Sequence, residues 1–198
     1  MKPYAESCDQ NRDPILKLLK DVFAASTKVL EIGSGTGQHA VFFADKLPHL
    51  LWQTSDLPAN HAGIRAWLHE QGSERVLAPI AIDTTESVWP LGGPVDAVFS
   101  ANTAHIMHWP AVEGMFAGIG RHLATGGVFA LYGPFNYEGR YTSESNARFD
   151  RWLKDRDPES GIRDFEALCE LARAAGMELL TDYEMPANNR TLVWRKVR

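Results

Sequence analysis

Lys28-Val29-Leu30-Glu31-Ile32-Gly33-Ser34-Gly35-Thr36-Gly37 is the stretch on which the fold turns. Lys28 to Ile32 is an apolar run too short for a helix, and it leads directly into a turn with glycine at every second position. Ala40, Phe43, Ala44 and Leu47 then follow at helical spacing until Pro48. A strand enters a glycine turn, and the turn opens a helix. Glycines at 33, 35 and 37 let the backbone bend tightly and approach a ligand where side chains would collide. That ligand would sit by the N-terminus of the helix.

The same unit recurs outward from this point. Before it, Asp13-Pro14 reads as a helix start, because Asp caps free amides and Pro suits the first helical position. Ile15, Leu18, Leu19, Val22 and Phe23 give that helix one apolar face. After it, Leu50 to Ser55 reads as a second strand, with Ile64, Trp67 and Leu68 on the helix behind. Val76 to Ile82 reads as a third strand, and its Pro79 favours an edge position because it cannot donate to a ladder. Asp96 to Ser100 makes a fourth strand, Pro110 opens a helix carrying Val112, Phe116, Ile119 and Leu123, and Val128 to Tyr132 makes a fifth. Such alternation implies parallel strands with right-handed crossovers, an α/β fold. A helix capped by Asp164 stops at Gly176. Met177 to Glu184 and Thr191 to Lys196 are then joined by a link so short that only an antiparallel pair allows it.

Bulk properties narrow the function. At 198 residues the chain fits one domain over 1–198, with 1–27 an N-terminal segment and helix. A formal net charge of −5 argues against a nucleic-acid partner, which normally meets a basic excess. Cys8 and Cys169 form neither a disulfide framework nor a zinc cluster, so a reduced, cytoplasmic setting is expected. The N-terminal residues hold no apolar run that would serve as a signal. No stretch of about 18 apolar residues exists, so no membrane span is expected. No metal is expected, because His105 and His108 lack a nearby third ligand.

The usual dinucleotide fingerprint places its last glycine at position 38, which here is Gln38. What stands instead, Glu31-x-Gly33-x-Gly35-x-Gly37, resembles the first motif of class I S-adenosylmethionine (SAM) methyltransferases. The resemblance implies that Glu31 contacts the loop or ligand and that Gly33, Gly35 and Gly37 face the amino-acid part of SAM. Asp56 ends the second strand 19 residues after Gly37, where a carboxylate can accept both ribose hydroxyls. Asp83 ends the third strand, near where this class often meets the adenine amino group; Asp83-Thr84-Thr85-Glu86 also reads as a helix cap. The implied fold is a Rossmann-like three-layer sandwich. Its seven-stranded, mostly parallel sheet has the order 3-2-1-4-5-7-6, with strand 7 antiparallel.

A narrower resemblance runs across nearly the whole chain. It is carried by Ala5 to Ile15, Leu30 to His39, Ala101-Asn102-Thr103-Ala104-His105-Ile106, Gly133-Pro134-Phe135-Asn136-Tyr137-Glu138-Gly139, Ser143 with Asn146, and Arg148-Phe149-Asp150. These segments resemble the methyltransferase-like protein 26 family. That likeness implies SAM binding and suggests that Tyr4 to Arg12 folds across the pocket, with Asn11 and Arg12 touching a carboxylate of SAM or the substrate. Arg suits a carboxylate because its fork binds both oxygens. Cys8 stands where an acidic residue is expected in the family, so it is a poor catalytic candidate.

The expected activity is methyl transfer to a small-molecule acceptor by a monomer or homodimer. The chain must align the acceptor and, for an oxygen or nitrogen acceptor, remove a proton; a thiol acceptor needs no strong base. Acceptors in such folds sit above the C-terminal ends of strands four and five. Asn102, His105 and His108 stand there, Asn102 toward the methionine end of SAM or the substrate and either histidine as a general base. Residues 134–163 form a connection of roughly thirty residues, long enough to be a lid. Phe135, Tyr137 and Arg140 would close it over an acceptor; the other reading is that these aromatics dock a short helix holding Phe149, Trp152 and Leu153. Two readings compete with the enzyme: a non-catalytic SAM-binding sensor or partner protein, and an NAD(P)-dependent oxidoreductase. Gln38 and the terminal hairpin count against the oxidoreductase.

Overall fold

A computed structural model describes residues 2–198. Seven strands form one sheet: β1 Lys28–Ile32, β2 Leu51–Asp56, β3 Val76–Ala81, β4 Val95–Ala101, β5 Leu123–Gly133, β6 Met177–Met185 and β7 Asn189–Lys196. In space they run β3-β2-β1-β4-β5-β7-β6. The pairs among β1 to β5 are parallel, and β7 is antiparallel to both β5 and β6. This is the expected α/β Rossmann-like sheet. Among the described residues six α-helices accompany it: α1 Glu6–Val22, α2 Gln38–Lys46, α3 His61–Gln71, α4 Trp109–His122, α5 Glu144–Arg156 and α6 Phe165–Ala174.

Alternation along the strands makes two cores. Val29, Trp52, Phe99, Ala130 and Val193 face α1 and α2, meeting Ile15, Leu19 and Phe43. Their neighbours Leu30, Val98, Phe129, Leu131 and Trp194 face α4 and α6, meeting Val112, Phe116, Ile119 and Leu168. Successive strand residues point to opposite faces, so nearly unbroken apolar runs are what a sheet covered on both sides requires. Each fully buried Leu or Phe contributes roughly 1.5–3 kcal/mol.

Pro79 lies on β3, which is the edge of the sheet. The register against β2 slips beside it, between Gln53 and Ser55, and the Gln53 side-chain amide donates to the Ala78 carbonyl at 2.8 Å. The first helix departs from expectation. It begins at Glu6, not at Asp13, and carries Pro14 in its interior. An interior proline costs about 3 kcal/mol. Here tertiary contacts offset that: the Ala5 N–H donates to Gln38 Oε1 at 2.6 Å, and buried Asn11 Oδ1 meets His39 Nε2 at 2.7 Å. Residues 134–163 hold α5, capped by Ser143, whose hydroxyl accepts from the Asn146 N–H. A two-residue parallel pairing of Phe135–Asn136 with Arg163–Asp164 closes the segment.

Candidate cofactor site

β1 leaves the sheet at Ile32, and Gly33 and Gly35 take φ of +72° and +56°. A Cβ on Gly33 would stand 2.7 Å from Thr103 Cγ2, so only glycine fits against the segment that follows β4. A Cβ on Gly35 would meet nothing within 4 Å, which leaves an open face above the turn. The Gly35 N–H donates to Asp56 Oδ2 at 2.7 Å, while Asp56 Oδ1 accepts from the Leu57 N–H and the Asn60 side chain at 2.7 and 2.8 Å. Asp56 thus ties the end of β2 to the glycine turn.

Glu31 lies underneath. It is buried and accepts from Ser34 Oγ at 2.8 Å and from the Trp52 indole at 3.2 Å. Burial pushes its carboxyl up to about 7, against the pull of those two hydrogen bonds. It contacts the loop and does not border the neighbouring cleft.

That cleft, about 430 Å³, opens beside the turn. Its apolar wall includes Leu57, Ile82, Met107 and Ala111, with Asp56 and Asp83 among its polar groups. Asp83 both borders the cleft and forms a local turn, accepting from the Thr85 N–H and hydroxyl at 2.9 and 2.7 Å. These bonds hold its carboxyl below the usual range. An apolar slot flanked by two carboxylate acceptors suits a flat ring system bearing N–H and O–H donors. Sequence reasoning missed Leu57, Ile82, Met107 and Ala111 as site residues. Leu57 and Ile82 had a usable signal, since each adjoins an aspartate already singled out at a strand end.

At the ends of β4 and β5, Asn102 has a φ of +55°, and its N–H donates to the Tyr132 carbonyl at 3.0 Å. A non-glycine residue in this region stores strain, which clusters at functional sites. The two histidines differ sharply. His105 is buried, edge-on to Phe149 at 5.2 Å, and burial pushes its pKa down to about 4. His108 is exposed on the cleft rim, where Asp157 and Glu159 each contact a ring nitrogen at 2.7 Å and the Asp157 bond raises its pKa. His105 is therefore neutral near pH 7, whereas His108 is a strut tied to two carboxylates.

Other expected site residues stand apart from the cleft. Asn11 lies on the buried face of α1, where it and Asn189 face the Tyr132 hydroxyl. Arg12 pairs with Asp9 at 2.6 Å, and its guanidinium lies 4.7 Å from the centre of the Phe42 ring. Phe135 is buried in the core on the α4 side. Tyr137 donates to Asp182 at 2.8 Å and stacks on Phe165, and Arg140 sits exposed at a turn with Tyr137. Among the described residues no group of three or more His, Cys, Asp or Glu is placed to hold a metal ion.

Fold and turn together define the α/β architecture of the SAM-dependent methyltransferases, and solved structures agree. An O-methyltransferase family protein from Burkholderia thailandensis matches with a TM-score of 0.82 at 17% identity, covering 93% of this chain and 56% of that one. An O-methyltransferase family 2 protein from Planctomyces limnophilus, in complex with apigenin, matches at 0.79 and 18%, covering 94% and 56%. An O-methyltransferase from neocarzinostatin biosynthesis, in complex with SAM and 2-hydroxy-5-methyl naphthoic acid, matches at 0.77 and 16%, covering 96% and 55%. The chain spans just over half the length of these proteins. It belongs to the family described as "Protein of unknown function (DUF938)", whose model matches residues 2–196.

Proposed function

We propose that this chain is a SAM-dependent methyltransferase acting on a small-molecule acceptor. The observation that carries this reading is the cleft: an apolar slot between Leu57, Ile82 and Met107, with Asp56 and Asp83 at its edge and the open face of Gly35 alongside. In this reading the slot holds adenine, Asp83 accepts from its amino group, and Asp56 accepts from the ribose hydroxyls. The amino-acid part lies over Gly33, Gly35 and Gly37. When bound, SAM supplies a methyl group on a cationic sulfur.

The chain's own work is then alignment and proton removal at the ends of β4 and β5. Asn102 is the proposed orienting group. His105, neutral near pH 7, is the proposed proton acceptor for an oxygen or nitrogen nucleophile. His108, held between two carboxylates, is suited to fixing the rim. Arg12 remains the proposed contact to a carboxylate, for which it would exchange Asp9, while Asn11 holds α1 against His39 and Tyr132. Tyr137 and Arg140 remain the proposed acceptor wall of the 134–163 segment, with Phe135 anchoring its start in the core. The apigenin and the naphthoic acid in the two complexes support a small acceptor.

A second reading, a non-catalytic SAM-binding protein, draws on the same histidines: one is enclosed and the other is engaged by Asp157 and Glu159. Calorimetric titration with SAM and, separately, NADH tests the cofactor. Micromolar SAM binding that weakens at least tenfold in Asp56→Ala is expected; NADH binding without SAM binding would overturn the reading. Turnover of SAM to S-adenosylhomocysteine with a metabolite pool separates enzyme from sensor.

A further inference from the structure

Residues Lys2 to Ala5 lie across the junction of α2 and α3, the helices that follow the glycine turn and the Asp56 segment. On the α3 side, the Trp67 indole donates to the Pro3 carbonyl at 2.6 Å, and Lys2 sits over the Trp67 ring and pairs with Glu70. A Cβ on Gly63 would stand 2.6 Å from Pro3 Cγ, so α3 leaves a notch for this segment. On the α2 side, the buried Gln38 amide meets both backbone groups of Ala5: its Oε1 accepts the N–H at 2.6 Å, and its Nε2 donates to the carbonyl at 3.3 Å. Thr36 Oγ1 donates to the same Gln38 oxygen at 3.0 Å, which links the strap to the glycine turn itself. Beneath the strap, Gly37 packs against α3, where a Cβ would stand 3.1 Å from Ile64 Cα.

We infer that residues 2–5, seated by Gln38, Trp67 and Gly63, are a strap that sets the spacing between the glycine turn and Asp56, and so tunes affinity for a ligand that spans both. Gln38, Trp67 and Gly63 are positioning residues. The inference rests on the cofactor reading above for the identity of that ligand. A ligand held only by the cleft and Asp56 needs one side of the junction. One that also reaches over the turn needs both sides in register, and small misplacements are costly there.

The test uses Gly63→Leu, which improves helix propensity but fills the notch, and Gln38→Leu, which removes both bonds to Ala5. In each, S-adenosylhomocysteine affinity is expected to fall about tenfold while adenosine affinity stays within twofold. Hydrogen exchange at Gly35 and Leu57, whose amides both donate to Asp56, is expected to rise together. Equal loss for both ligands, or unchanged exchange at both amides, would overturn the inference. If Gly63→Leu fails to fold, Gln38→Leu decides. If the wild type binds neither SAM nor S-adenosylhomocysteine, the cofactor reading fails, and exchange alone still decides whether the strap sets the spacing.

Discussion

Glu31 shows how one side chain can be read in sequence and yet change meaning in the fold. Its place before the first glycine marks the turn, but its environment is a dry pocket under Ser34 and beside Trp52. Its carboxyl is raised from 4.5 to about 7, so across that interval the folded chain holds a proton that the unfolded chain has released. The stability linked to this group is present at low pH and is lost as pH rises through 7. Glu31→Gln keeps an acceptor there without the charge. Urea melts are expected to show it more stable than wild type at pH 8, on the order of 2–3 kcal/mol, and close to wild type near pH 5. An equal difference at both pH values would show that the buried charge is not the cause. His105 and His108 teach the same lesson. Three positions apart, they are shifted in opposite directions, because one is buried, with Phe149 against its ring, and the other is bonded by Asp157 and faces Glu159. Neither neighbour is close in sequence, so no local pattern distinguishes the two histidines.

Elements were legible where a local signal terminates them. Gly176, with a φ of +76°, ends the region of α6, and Pro110 opens α4 as expected. The β6–β7 connection is as short as the sequence implies, and it turns through Ala187 and Asn188 with φ of +58° and +59°. Alanine is a poor occupant of that region because its Cβ crowds the backbone. Ala187→Gly is expected to raise stability by about 0.5–1 kcal/mol, seen as a rise in thermal midpoint; no rise would mean that the turn relaxes to negative φ in solution. The first helix was the misread element. Asp13-Pro14 has the chemistry of a start, yet helix continues through it, because Ala5 and Asn11 are held from outside by Gln38 and His39. A capping rule weighs neighbours along the chain, whereas these partners lie 33 and 28 residues away.

For the whole molecule, His39 and His105 set the response to acid. Burial lowers both to about 4, so between 6.5 and 4 the unfolded chain binds protons that the folded chain refuses. Stability is expected to fall as pH drops through that window, the two histidines outweighing the opposite contribution of Glu31. Denaturation midpoints measured from pH 7 to 4 check this, and the fall should be steeper in Glu31→Gln. A flat profile in that variant would mean that both rings take up protons without unfolding.

The sequence by itself determined the alternation of strand and helix, the reversed last strand, the glycine turn and the carboxylates at the ends of β2 and β3. All of these rest on periods and spacings short enough to be local. Only the tertiary structure decided which polar groups share a cleft. Asp56 and Asp83 come together with Leu57, Ile82 and Met107, while Asn11 and Arg12 go to the α1–α2 packing and Tyr137 to Asp182. The physical reason is that a side chain's partners are set by how the layers pack, and packing brings together residues whose separation along the chain carries no signal.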